Sequence, residues 1–597
     1  MNTKLLVLTL SGVVAMLAGA GAEQIGTCRD CLQSMYWVVP ERDYESADGR
    51  PFFPETDRLE RERPDSLAVA FSGGGTRSAA ATLGQLRGLY LNNWLPYVQY
   101  ISAVSGGSWS AVPFTYSKDD QDELLGEQLE PRQLEWSKTA GTPDGALARE
   151  IASSTMISAG LHEALGLSAP ALARRDIVNA VRQMLSTVGA ARREPERLDK
   201  TFARLIGSKF IDPLIEPEPE NRKASQRLFS WDYATASEMH ALNQERLPGD
   251  ILTVGPNRPF LIVGGTMVSA RRDYAYPLLI PVEYTPMYVG VRQQFGGRLG
   301  GTLVWPWAYD TERVGAYGDG RIQVQFDPKR ALTLADVAAS SGAAPQLMLL
   351  LGSGVPDAAK AAIQKGAGLF PAFRHFTVNG GGPAPLSGPL PHGDGGFSDN
   401  LGLMPLLARQ VTNILVFVNT MTPHFHNNDD LKSFFFAVGP PGATGSKTLN
   451  KAFPLDKYEE LMKGLEQRRL AGQPQVYCGT DWTVLKNAHY NVRAYEGLNI
   501  CWFYNARVPA WRQQLAGDVA RLFDRENPHP QAARFERFPW FNTFRQLNLD
   551  TAQVNLLAHM WAWTLTDPDT ANMVRQKLTV NLPEVRERAP SPRLTER

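Results

Sequence analysis

Three short stretches bring together residue types that suit chemistry on an ester or phosphate: Ser72-Gly73-Gly74-Gly75-Thr76-Arg77, Ala103-Val104-Ser105-Gly106-Gly107-Ser108-Trp109, and Gly393-Asp394-Gly395-Gly396 within HGDGGFSDNLGLMPLL. SLAVAF leads into the first glycines, and TRSAAATLGQLRGLYLNN after them sets Ala79, Leu83, Leu86 and Tyr90 on one helical face. The glycines therefore form a strand-to-helix turn. Its amide donors and positive helix end suit an anion, whether a phosphate or the transient oxyanion of acyl transfer. Several absences argue against a nucleotide. The loop has no Lys-Ser/Thr ending, Ser78 stands where a third Rossmann glycine belongs, and Leu89 to Ala111 contains no Asp or Glu to hold a ribose.

VQYISAVSGGSW sets Ser105 directly after a strand with small residues at 103, 106 and 107, as a nucleophile elbow requires. A serine hydroxyl is a poor nucleophile without a base. Asp394 is the best candidate, because Gly395 and Gly396 let its backbone approach another segment, with a helical run and the strand NILVFVN following. The rival base is a histidine: His392, His424 or His426 would complete a Ser-Asp-His triad on an α/β-hydrolase fold. In that fold the oxyanion loop does not normally follow the strand just before the nucleophile's own.

The three motifs, in this order and spacing, resemble the patatin and cytosolic-phospholipase superfamily of lipid acyl hydrolases, nearest its cytosolic-phospholipase and fungal lysophospholipase (phospholipase B) branch. A fourth stretch, PVEYTPMYVG at 281–290, is similar to a segment of the same branch. The resemblance implies a three-layer α/β fold with a largely parallel central sheet. It implies Ser105 as nucleophile and Asp394 as its base in a dyad without histidine, Gly73, Gly74 and Gly75 as the oxyanion hole, and Arg77 on the substrate phosphate. Its substrates are phospholipids or lysophospholipids met transiently at a membrane or micelle surface, with no cofactor and no metal. Ala103 departs from the glycine that usually opens the nucleophile motif, and Pro113 is expected to kink the following helix after about two turns. A non-catalytic lipid-binding protein on the same fold is the alternative outside enzymology.

Positioning such a site takes a large core, and 597 residues, 43% of them hydrophobic and 20% charged, supply one. Lys plus Arg and Asp plus Glu both count 61, which argues against a nucleic-acid partner. SLAVAF (66–71), VQYISAV (98–104), FLIVGG (260–265) and NILVFVN (413–419) read as buried strands between helical patterns, hence α/β. Breaks at 213–225, 380–396 and 439–447 read as loops on one body. The expected organisation is a signal peptide over 1–22 and an N-terminal extension over 23–64. A catalytic domain follows over 65–510, with a helical insertion or lid at 114–259, and a helical region over 511–597 packs on the core.

Lys4, an apolar stretch and Ala20-Gly21-Ala22 have the form of a cleavable signal, so the chain is expected to be exported, to the periplasm or beyond. Four cysteines then imply two disulfides. Three pairings are open, and Cys478 with Cys501 is favoured because VYCGT and NICWFYN read as hairpin strands. The 23-residue gap between them argues against a four-cysteine zinc site, and Cys28-x-x-Cys31 lacks the strand and helix of a redox motif. The run Phe434-Phe435-Phe436-Ala437-Val438 has two readings, an exposed lip for a lipid surface or a buried cluster.

Overall fold

The computed structural model describes residues 31–45, 51–56, 67–153, 200–215, 223–244, 246–269, 278–295, 299–316, 319–351, 370–375, 389–436, 449–543 and 548–584. Residues 1–22, Cys28 and 154–199 of the expected insertion lie outside them.

The four apolar runs become neighbouring strands: β2 (Leu67–Phe71), β3 (Val98–Val104), and the strands Phe260–Ser269 and Asn413–Val418. They lie side by side and parallel, in the order Phe260–Ser269, β3, β2, Asn413–Val418, and a fifth parallel strand, Tyr495–Tyr504, joins the last of them. Nothing in β2, β3 or Asn413–Val418 is exposed, which is why their sequences are nearly continuous apolar runs. Side-chain alternation splits them between two cores: Leu67, Val69, Phe71, Leu415 and Phe417 enter one, and Ala68, Ala70, Ile414, Val416 and Val418 the other. The fold is α/β, with helices on both faces. Among the described residues the sheet has 14 strands, and its flanks are antiparallel. One flank runs from Phe260–Ser269 through Leu278–Tyr284, Val289–Val291 and Thr302–Val304 to β1 (Cys31–Val38), so the expected N-terminal extension supplies a strand of the main sheet.

Helix α1 (Gly75–Leu91) is buried on every side through Leu89, instead of on one face, because the C-terminal helix Thr551–Thr566 covers its outer surface. That C-terminal helix starts at a capping box between Asp550 and Gln553. Helix α2 (Gly106–Tyr116) runs through Pro113 for 11 residues, all buried, so the expected early kink does not end it. Packing on every side outweighs the one amide hydrogen bond that proline removes. Among the described residues, the segment after α2 includes helices Gln121–Leu125, Trp136–Gly141, Ala146–Ala152, Thr201–Phe210 and Tyr233–Leu242.

Two loop or surface readings change. Within the break placed at 380–396, residues Leu390–Asp394 form a strand antiparallel to Phe260–Ser269. PLPHGD has no strand composition, and the neighbour's hydrogen bonds impose the conformation. Phe434 and Phe435 are buried against Phe453, with Phe435 also near Trp482 and Trp502, so the lip reading fails for both. A cluster of aromatic rings was available inside, and burying them removes more apolar area from water than a surface position would. Among the described residues no helix is long and apolar enough to cross a membrane.

Val476–Val484 pairs antiparallel with Tyr495–Tyr504, and Cys478 faces Cys501 across that pair in a disulfide, as the hairpin reading expects. Cys31 is disulfide-bonded as well. The Cys478–Cys501 bond closes a loop of 23 residues, so the double variant Cys478→Ala, Cys501→Ala should lose about 3 kcal/mol of unfolding free energy, measured by denaturant titration. Unchanged stability would mean that the pair contributes nothing to the fold.

Candidate active site

Ser105 follows the last residue of β3 and precedes α2. Its φ of 52° and ψ of −127° are unusual for a residue with a side chain and cost roughly 1–3 kcal/mol, strain of the kind found at functional turns. The turn is possible because no Cβ stands in the way after it. One placed on Gly106 would lie 1.9 Å from the Gly75 carbonyl oxygen, so the turn at Ser105 rests directly on the glycine loop.

The sheet register brings Asp394 to the same point. Along one edge of Phe260–Ser269, Val104 is paired with Gly264, and Asp394 takes the next position opposite Gly265. β3 arrives parallel and Leu390–Asp394 antiparallel, so their C-terminal ends meet. The Ser105 hydroxyl donates to Asp394 Oδ2 at 2.8 Å, and Gly396 N–H donates to Oδ1 at 2.7 Å. Thr266 Oγ1 donates to the Asp394 carbonyl at 2.9 Å, tying the end of the strand to its neighbour. Ser105 and Asp394 are each 5% exposed, so little bulk water competes for their contact. Asp399, five residues on, is buried too. Burial raises its pKa to about 6 against three backbone N–H donors, those of Met404, Leu401 and Gly402, which mark it as a turn-former.

The glycine loop contributes unequally. Gly73 N–H donates to the Asn400 carbonyl at 2.9 Å, which removes it from the set of oxyanion donors. Gly74 (φ 143°) and Gly75 (φ 58°) turn the chain into the N-terminal end of α1. Arg77 lies under this loop instead of at an open surface. It is 3% exposed, its Nε donates to the Asn419 carbonyl at 3.1 Å and its Nη1 to the Phe541 carbonyl at 2.6 Å. Burial lowers its pKa to about 10, partly offset by Asp430, so it stays charged at neutral pH. A guanidinium so occupied is poorly placed for a substrate phosphate.

The candidate histidines lie elsewhere. His392 Nε2 meets the Tyr309 hydroxyl and Nδ1 the Leu390 carbonyl, both at 2.8 Å, and burial depresses its pKa to about 3. His424 and His426 flank Phe425 on the surface. The PVEYTPMYVG stretch is scaffold. Glu283 pairs with Arg409 at 2.9 Å, and although burial opposes its charge, Arg409 and Arg292 hold its carboxyl below the ordinary range. Thr285 closes the following turn with Tyr288, its Oγ1 accepting the Tyr288 N–H.

Ser341 and Asn400 were not legible as site residues. Ser341 ends the helix Leu334–Ser341 in the plain run AASSG, where no residue type signals a role. Asn400 closes DGGFSDN, which singled out Asp394 alone; a Cβ on Gly73 or Gly396 would lie within 2.5 Å of its Oδ1, so it wedges between the two loops.

No protein-family description matches the sequence. No curated protein matches it either. Among solved structures, the chain is similar to human GIVD cytosolic phospholipase A2, with a TM-score of 0.41 and 13% identity over 88% of this chain. It is similar to the same human enzyme in complex with methyl gamma-linolenyl fluorophosphonate, with a TM-score of 0.37 and 14% identity over the same share. In both cases this chain covers 62% of the length of that protein.

Proposed function

We propose that the protein is an exported serine acyl hydrolase that cleaves carboxylic esters of glycerophospholipids or lysophospholipids through an acyl-enzyme on Ser105. The observation that carries this reading is the 2.8 Å contact from the Ser105 hydroxyl to Asp394 Oδ2, at a strained turn and with no ring between them. The order and spacing of the motifs around both residues supply the substrate class. The disulfides suit an oxidising compartment.

In this mechanism Asp394 accepts the hydroxyl proton as Ser105 Oγ bonds to the ester carbonyl carbon, and the carbonyl oxygen becomes an oxyanion facing the Gly74 and Gly75 amides. Collapse breaks the ester bond, and the departing alcohol takes the proton back from Asp394. Water then gives a proton to Asp394 and attacks the acyl-serine carbonyl carbon; as the acyl–Oγ bond breaks, Ser105 Oγ takes that proton back from Asp394 and the fatty acid leaves. Arg77 holds the glycine loop and places a positive charge behind it.

Ser105→Ala should lose about 10³-fold or more in fatty-acid release, and Asp394→Asn nearly as much, because the two act as a unit. His392→Ala, His424→Ala and His426→Ala should each keep most of the rate. Steady-state hydrolysis of a lysophospholipid reads all five. A comparable loss in any one well-folded histidine variant would replace the dyad by a triad.

Arg77 gives a separate test. Arg77→Lys reaches fewer carbonyls, so kcat should fall about tenfold or more for a phospholipid and for a phosphate-free p-nitrophenyl ester alike. A loss confined to the phospholipid would restore the guanidinium to the phosphate.

A further inference from the structure

We infer that Ser341 is a positioning residue that clamps both halves of the dyad, an inference that rests on the Ser105–Asp394 reading. Its hydroxyl sits at the point where the two strand ends meet. It accepts the Ser105 N–H at 2.8 Å and donates to the Gly264 carbonyl at 2.7 Å. Its own carbonyl accepts the Gly395 N–H at 3.2 Å, one residue past Asp394. A single residue thus holds the backbone of the nucleophile, the backbone beside the base, and the strand that both abut.

The chemistry of a hydroxyl fits the task. It has one proton to give and lone pairs to accept with, and at this place one donor and one acceptor need it. Ser341 is fully buried, so water does not take over either bond when the hydroxyl is removed. The clamp is itself anchored. Trp109 of α2 donates its indole N–H to the Ala338 carbonyl at 3.2 Å, and a Cβ on Gly342 would lie 2.6 Å from the indole ring. The helix that ends in Ser341 is therefore fixed against the helix that begins after Ser105, and the hydroxyl has little freedom to drift. Because Ser105 occupies a strained conformation, it holds its φ and ψ only while the surroundings determine them, and the N–H bond to Ser341 is one such determinant. Loss of that bond leaves Ser105 and Asp394 in place chemically but relaxes their mutual geometry, an error to which a proton transfer over 2.8 Å is sensitive.

The test is kinetic. Ser341→Ala should lower kcat for ester hydrolysis about tenfold or more with KM changed by less than about twofold, since the substrate surface is not touched. The rate at which a fluorophosphonate labels Ser105 should fall in parallel, and Ser341→Thr, which keeps a hydroxyl, should recover most of both. Normal kcat and labelling in a folded Ser341→Ala protein would overturn the clamp, as would equal losses in the alanine and threonine variants, which would show packing alone. Should the alanine variant not fold, Ser341→Cys is nearest in volume and has only a weak S–H group, and full activity there overturns the clamp too. A wild-type protein that the probe does not label at Ser105 would sink the dyad and the clamp together, an outcome distinct from losing the clamp alone.

Discussion

For a serine hydroxyl to give its proton straight to a carboxylate, two chain segments must meet with no imidazole as spacer. The sheet arranges this through register. β3 runs along Phe260–Ser269 only as far as Gly264, and Leu390–Asp394 comes from the opposite direction along the same edge and stops at Gly265. Had either strand continued by one residue, the two would have collided. Had either stopped one short, the hydroxyl and carboxylate would have been separated by a further strand step of about 3.3 Å, too far for a hydrogen bond. The glycines of all three motifs follow from this junction. A Cβ on Gly395 would lie 2.3 Å from the Gly264 carbonyl oxygen, and one on Gly106 would strike Gly75, so the junction closes only where side chains are missing.

The close packing that makes the junction also decides which charges it tolerates. Arg77 brings a cation into a nearly dry place, and desolvation lowers its pKa, yet backbone carbonyls of Asn419 and Phe541 satisfy two of its nitrogens while Asp430 favours the charge from farther away. A guanidinium can be fixed by neutral acceptors in this way because its donors lie in a rigid fork. A carboxylate directly on it would cancel the field that a developing oxyanion over Gly74 and Gly75 would feel. The loop thus combines the amides of a helix start with a buried positive charge held by dipoles instead of by an opposite charge.

The strands that make the central sheet were legible because burial on both faces forces continuous apolar sequence, and β2, β3, Phe260–Ser269 and Asn413–Val418 all have it. The elbow was legible because its steric demand selects small residues around Ser105. Leu390–Asp394 was not, since a strand of Pro, His and Gly is set by its neighbour and not by its own propensity. Arg77 illustrates a different limit. Its type fits a phosphate and a set of carbonyls equally well, and only the position of residues 464 places away, at Phe541, separates the two. Ser341 lies beyond the reach of pattern altogether, because its role comes from three backbone partners at 105, 264 and 395 that the fold collects.

The same geometry bears on whether a histidine at 392 could reach Ser105, since it stands two residues from Asp394 on the same strand. Alternation along a strand sends residues 392 and 394 to the same face, so His392 was a reasonable third member of a triad. Its ring, however, is spent: the Leu390 carbonyl takes one nitrogen and the Tyr309 hydroxyl the other, inside a cage of Phe373, Tyr309 and its own strand. Burial depresses its pKa to about 3, well below the ordinary imidazole value, so the ring resists taking up a proton at neutral pH. An imidazole that resists protonation cannot serve as the base in acyl transfer, where the ring must carry the serine proton through the tetrahedral intermediate. A carboxylate is intrinsically the weaker base. Asp394 differs in being at the junction, in direct contact with the hydroxyl, so in the proposed dyad the proton would move along an existing hydrogen bond. In that proposal proximity and alignment would offset a deficit in basicity, and the abutting strand ends supply both.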